Sequence, residues 1–120
     1  MQKNDDKQGR PPSGVFEAHC PARRLLDVLA EKWTLLIIHA LAHGPLRTGE
    51  LRRQIGGISE KMLIQSLRTL QDHGLVERRS YSEVPPRVDY RLTEVGLTLT
   101  PIVKTLDAWV EQNVAGVPNL

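Results

Sequence analysis

Cys20 is the only thiol in the 120-residue sequence. It stands directly before Pro21, and proline suits the first helical position because its missing N–H would be unpaired there anyway. A thiol at a helix N-terminus with Arg23 and Arg24 nearby gains thiolate character and reacts selectively with oxidants or electrophiles. The ordinary alternative is a small packed hydrophobe, the usual state of a cysteine outside a disulfide. His39 and His43 are spaced i, i+4, which metals can use, but two ligands alone make a poor site, so no metal or other cofactor is expected. The carboxylates Glu50, Glu60, Asp72, Glu77, Glu83, Asp89 and Glu94 are scattered among basic residues, as on a solvated surface. Gly56-Gly57 lacks the Lys and Ser/Thr that would follow in a phosphate-binding loop. No catalytic constellation emerges, and the chain reads as a non-enzyme.

The remaining chemistry is recognition. Lys61, Gln65, Arg68 and Asp72 share one face of a helix, flanked by Ile64 and Thr69, while Leu63, Leu67 and Leu70 share the opposite face. Ser59 caps this helix and Gly74 ends it. Just upstream, Thr48 caps a shorter helix through Ile55, which Gly56-Gly57 stops. Two short helices, a tight glycine turn and long donors on the second make the pattern of a helix-turn-helix. A helical hairpin with a merely wet polar face remains open from this stretch alone.

Other elements must hold that pair. Residues 22–43 are helical, as one helix or as two with a break near Ala30–Lys32, and Gly44-Pro45 terminates them. The run Leu35–Ile38 is apolar on nearly all sides and is expected to be the most buried helix, a wall for the 48–74 pair. Leu46-Arg47 is a candidate for a very short strand. Leu75–Tyr81 and Arg87–Leu92 read as strands, the second with Val88, Tyr90 and Leu92 on one face. Ser82–Pro86 joins them stiffly, because Pro85 and Pro86 cannot donate backbone hydrogen bonds. A hairpin directly after a recognition helix is the wing of a winged helix. Thr93 caps a last helical region, which Pro101 must kink or restart. Beyond it Ile102, Val103, Leu106, Trp109, Val110 and Val114 recur at helical spacing. An intramolecular core is the bland use of that stripe; burial of Leu106, Trp109 and Val110 against a second subunit is favoured.

The length allows one compact domain. Net charge is only +2 from 16 basic and 14 acidic side chains, with nine basic and six acidic between Arg47 and Arg91. That asymmetry is weak evidence for nucleic acid. One cysteine fits a reducing compartment, no stretch approaches the roughly 20 apolar residues of a membrane span, and the polar N-terminus has no signal-peptide run. A soluble cytoplasmic protein without membrane contact is expected, with residues 1–14 a disordered tail, 15–114 the domain and 115–120 a second tail.

The stretches CPARRLLDVLAEKWTLLIIHAL and ELRRQIGGISEKMLIQSLRTLQDHGLVERRSYSEVPPRVDYRLTEVG resemble the HxlR-type winged helix-turn-helix regulators, relatives of the MarR-type regulators, over roughly residues 19–112. The specific parts are Cys20-Pro21 ahead of Lys32-Trp33-Thr34, then Gly57-Ile58-Ser59 with Lys61 and Leu67-Arg68. The third is Tyr81 to Leu92, followed by Thr93-Glu94 and Gly96. The resemblance implies a mainly α fold with a small β-hairpin, a winged helix-turn-helix that is dimeric and binds double-stranded operator DNA as a repressor or activator. It places the recognition helix at 60–73, with Ser59, Lys61, Ile64, Gln65 and Arg68 on DNA. It places the wing at 77–91, with Arg79, Tyr81, Pro85, Pro86 and Arg87. Some such proteins use a cysteine at the position of Cys20 as a redox sensor. Two departures stand out: Ala30-Glu31 where glycine is frequent, and Ile64 where a small polar residue is common, which offers contact to a thymine methyl. The reading is a homodimeric DNA-binding transcription regulator; the alternative is a winged-helix module that binds protein. Outward-facing Lys61, Gln65, Arg68 and Arg87 favour DNA, because a protein-binding face carries more aromatic or aliphatic anchors.

Overall fold

The computed structural model describes residues 14–114. The two expected tails lie outside these residues, apart from Gly14. Their order is α1 (Pro21–Leu29), α2 (Thr34–Leu41), α3 (Thr48–Gln54), α4 (Glu60–Asp72), β1 (Val76–Tyr81), β2 (Arg87–Leu92), α5 (Glu94–Leu97) and α6 (Thr100–Asn113). The described residues through Glu31 make one unit, and those from Lys32 onward make a second.

In the first unit a turn closed by Glu17 N–H to Gly14 O and Cys20 N–H to Glu17 O leads into α1. Pro21 stands in the first turn and no residue of α1 is buried. The helical stretch 22–43 is therefore two helices, broken at Ala30–Trp33, although no glycine is present there.

In the second unit α2 turns Thr34, Ile37, Ile38 and Leu41 inward, at i, i+3, i+4 and i+7. The expectation that this helix is buried on nearly all sides is corrected by Leu36, which is 45% exposed. A run of four apolar residues spans more than one face of a helix, so one of them must leave the core side. Helix α2 packs on α3, β2 and α6, and so backs the first helix of the 48–72 pair. The cap of α3 is Arg47 rather than Thr48. Glu50 takes the choice, because its Oε1 accepts the Arg47 backbone N–H at 2.8 Å and draws Thr48 into the first turn.

Leu46 forms a single antiparallel bridge with Tyr90, with backbone bonds in both directions at 3.0 and 2.8 Å. β1 and β2 pair antiparallel from Val76 opposite Leu92 to Tyr81 opposite Arg87. Thr93 caps α5 by accepting the Gly96 N–H at 3.0 Å and also donates its hydroxyl to Gly74 O at 2.6 Å. Pro101 then opens the separate helix α6, where its missing N–H costs nothing. Ile37, Ile38, Leu51, Leu63, Leu67, Leu70, Val76, Tyr90, Leu92 and Val103 fill the core. Among the described residues no helix is long and apolar enough to cross a membrane.

Candidate nucleic-acid interface

Helix α4 is set by its ends and its inner face. Ser59 Oγ accepts the Met62 N–H at 3.1 Å, so one orphan donor of the first turn is satisfied. Gly57 and Gly74 take positive φ values of 88° and 73°, which let the chain turn sharply into and out of the helix. Leu63, Ser66, Leu67 and Leu70 are buried, so the outer face is fixed by default. Lys61, Gln65 and Arg68 are exposed there and Ile64 is half-buried between them. These four residues, at i, i+3, i+4 and i+7, edge a shallow groove together with Glu60, Thr69 and Asp72. Arg52 of α3 reaches Glu60 at 3.5 Å across the glycine turn. Both side chains are largely exposed, so the pair adds little stability.

The hairpin carries the second set of residues. Pro85 and Pro86 are exposed in its tip and Arg79 is exposed on β1, 3.9 Å from Glu77. The Arg87 guanidinium lies over the Tyr81 ring, 4.1 Å from its centroid. Stacking of this kind leaves the guanidinium edges available to acceptors. Asp89 departs from the solvated surface expected of the carboxylates: it is only 7% exposed. Arg91 lies 3.5 Å from its carboxylate and also donates to the Tyr81 hydroxyl at 2.8 Å. Strand alternation places Asp89 on the face opposite Tyr90 and Leu92 correctly. Its burial comes with the guanidinium of Arg91, two residues on along the same strand, which no period-two pattern reveals.

The other candidate residues belong to other elements. Cys20 is the N-cap of α1 and partly exposed. Of the two arginines near it in sequence, Arg23 donates to Val15 O and pairs with Asp27, and Arg24 donates to His19 O. His39 Nδ1 meets Asp107 Oδ2 of α6 at 2.5 Å, and no group of three or more metal-type ligands occurs among the described residues. On α6 the stripe divides. Val103 is buried within the chain, while Ile102, Leu106, Trp109, Val110 and Val114 are exposed.

A two-helix unit with a glycine turn, a hairpin directly behind it and a bridging strand at Leu46 define a winged helix-turn-helix protein. The chain belongs to the HxlR-like helix-turn-helix family, whose pattern matches residues 28–117. It is 43% identical over 103 residues to the HTH-type transcriptional regulator YtfH of Escherichia coli K12, covering 86% of this chain and 82% of that one. Among solved structures it is similar to the transcriptional regulator ytfH from Salmonella typhimurium, with TM-score 0.78, 41% identity and coverage of 87% and 93%. It is similar as well to the redox regulator HypR in its oxidized form, with TM-score 0.73, 41% identity and coverage of 78% and 97%.

Proposed function

We propose that this chain is a transcription regulator that binds operator DNA as a homodimer, with α4 in the major groove and the β1–β2 hairpin alongside. The observation that carries the proposal is the outer face of α4, where Lys61, Gln65 and Arg68 stand exposed on a helix whose other face is locked into the core. Gln65 has an amide donor and acceptor suited to a base edge, and Lys61 can join it. Arg68 and Arg87 carry charge suited to phosphates or the minor groove. Ile64 supplies an apolar contact of the kind a thymine methyl accepts. Ser59 at the start of the helix, and Arg79, Tyr81, Pro85 and Pro86 in the wing, complete the surface. The face has no cluster of aromatic or aliphatic anchors, which weighs against a protein-binding module.

The exposed residues Ile102, Leu106, Trp109 and Val110 of α6 support dimerisation. Two wings and two recognition helices would then meet a pseudo-palindrome. Cys20 is assigned as a thiol sensor on the strength of its place at the head of α1 and the likeness to a redox regulator. Oxidation would alter the spacing of two recognition helices that must match successive grooves. With one cysteine per chain, any disulfide between protein thiols joins two copies, which requires Cα atoms about 4.4–6.8 Å apart. Otherwise the product is a mixed disulfide or an adduct.

The experiment is enrichment of bound duplexes from a genomic library, followed by footprinting with and without diamide. The expected result is a preferred pseudo-palindromic site, released by diamide from wild type and retained by Cys20→Ser. Equal sensitivity of both proteins, or none in either, returns Cys20 to an ordinary packed side chain.

A further inference from the structure

Pairing of the hairpin sets six polar residues on one face. Glu77, Arg79 and Tyr81 of β1 stand opposite Arg91, Asp89 and Arg87 of β2. Asp89 is the anomaly among them. An ionised carboxylate removed from water requires partners, or it protonates or destabilises the fold. Arg91 supplies a cation at 3.5 Å, and the same Nη2 donates to the Tyr81 hydroxyl at 2.8 Å. One guanidinium thus ties a buried carboxylate on β2 to a phenol on β1.

Tyr81 in turn carries Arg87, directly opposite it in the register and 4.1 Å from its ring centroid. The Arg87 Nε is buried without a hydrogen-bond partner among the described residues, and the guanidinium rests on the ring. Free arginine side chains have much rotamer entropy to lose on meeting a phosphate or a base edge, and a side chain already stacked loses less.

We infer that Asp89 and Arg91 are positioning residues for DNA recognition: through the Tyr81 hydroxyl they fix the ring on which Arg87 is presented to the nucleic acid. This role rests on the function proposed above and deepens it, because neither residue itself lies on the outward surface of α4 or at the wing tip. Asp89 holds Arg91, Arg91 holds Tyr81, and Tyr81 holds Arg87. If the two residues served only to stabilise the hairpin, changing them would lower its stability and weaken every DNA contact alike, without distinguishing Arg87 from the others.

Two variants separate these cases. Tyr81→Phe keeps the ring and deletes the hydroxyl. Arg91→Lys keeps the charge beside Asp89 but replaces the planar fork with a single ammonium point. Each is made alone and with Arg87→Ala, and binding is read by fluorescence anisotropy on the short duplex that wild-type protein enriches from a random library. Thermal unfolding is followed in parallel. The expected result is about three- to tenfold weaker binding in the Arg87 background and a change of less than about twofold with Arg87→Ala, as for residues acting through one another. Equal weakening in both backgrounds, or none in either, overturns the inference.

A second readout needs no DNA. The stacking over Tyr81 should give the Arg87 Nε–H resonance a ring-current shift in the unbound protein, and Arg91→Lys should reduce it. An unchanged shift overturns the positioning role even where specific DNA binding holds. Absence of any preferred duplex for wild type defeats the function itself, and the positioning role with it.

Discussion

Replacing Trp109 with alanine tests whether α6 joins two copies of the chain. Val103 anchors the helix inside its own chain, whereas Trp109 is 58% exposed and lies beside exposed Leu106 and Ile102. A buried tryptophan covers about 150–250 Å², so the part still open to a partner is roughly 100–150 Å². At about 25 cal/mol per Å² that is roughly 3 kcal/mol per protomer, or about 6 kcal/mol for a symmetric pair. Ordering and desolvation at the interface consume part of this gain. An increase in the dimer dissociation constant of about a thousandfold or more is therefore expected. Sedimentation equilibrium over a concentration series reads the shift, and thermal unfolding in parallel checks that the fold survives, since the larger part of the residue is exposed and only the smaller part packs within its own chain. Pairing with Leu106→Ala should give monomer at every accessible concentration and loss of DNA binding. A double variant that still sediments as an intact dimer would remove this helix as the interface.

Other expectations concern single side chains. Gln65→Ala should relax preference at one base position by about 1–3 kcal/mol, read by binding to a panel of point-mutated duplexes. Arg87→Ala should weaken all sequences alike and lower the slope of log K against log salt by about one unit, in a titration over ionic strength. Gly96→Ala should lower stability by about 1–3 kcal/mol in denaturant unfolding, because its Cβ would come against the backbone carbonyl of Leu75; an unchanged midpoint would show that α5 shifts freely.

Much of this arrangement is legible in residue order because it depends on local chemistry. The leucines of α4 declare its inner face by spacing alone, and Ser59, Thr93, Gly57 and Gly74 mark ends by capping and turn preferences that need no distant partner. The hairpin follows from two short strands around consecutive prolines. What escapes the sequence depends on contacts made across the fold. Glu50 moves the α3 cap by one residue, Leu36 leaves the core because α2 buries only one side, and Val103 separates from its exposed neighbours by packing within its own chain. The candidate surface is legible as a face of α4, since Lys61, Gln65 and Arg68 follow the helical period. The linkage of Asp89, Arg91, Tyr81 and Arg87 is not, because it forms across strands and turns on burial of a charge that alternation assigns to the wet side.

Enrichment of genomic duplexes by the purified protein, with footprinting of the winners, tests the central claim most directly. The account predicts a pseudo-palindromic site with half-sites about 34 Å apart, one helical turn, protected on one side of the duplex and lost on Gln65→Ala with Arg68→Ala. Enrichment no greater than that of random DNA, with protection spread evenly along the duplex, would contradict it.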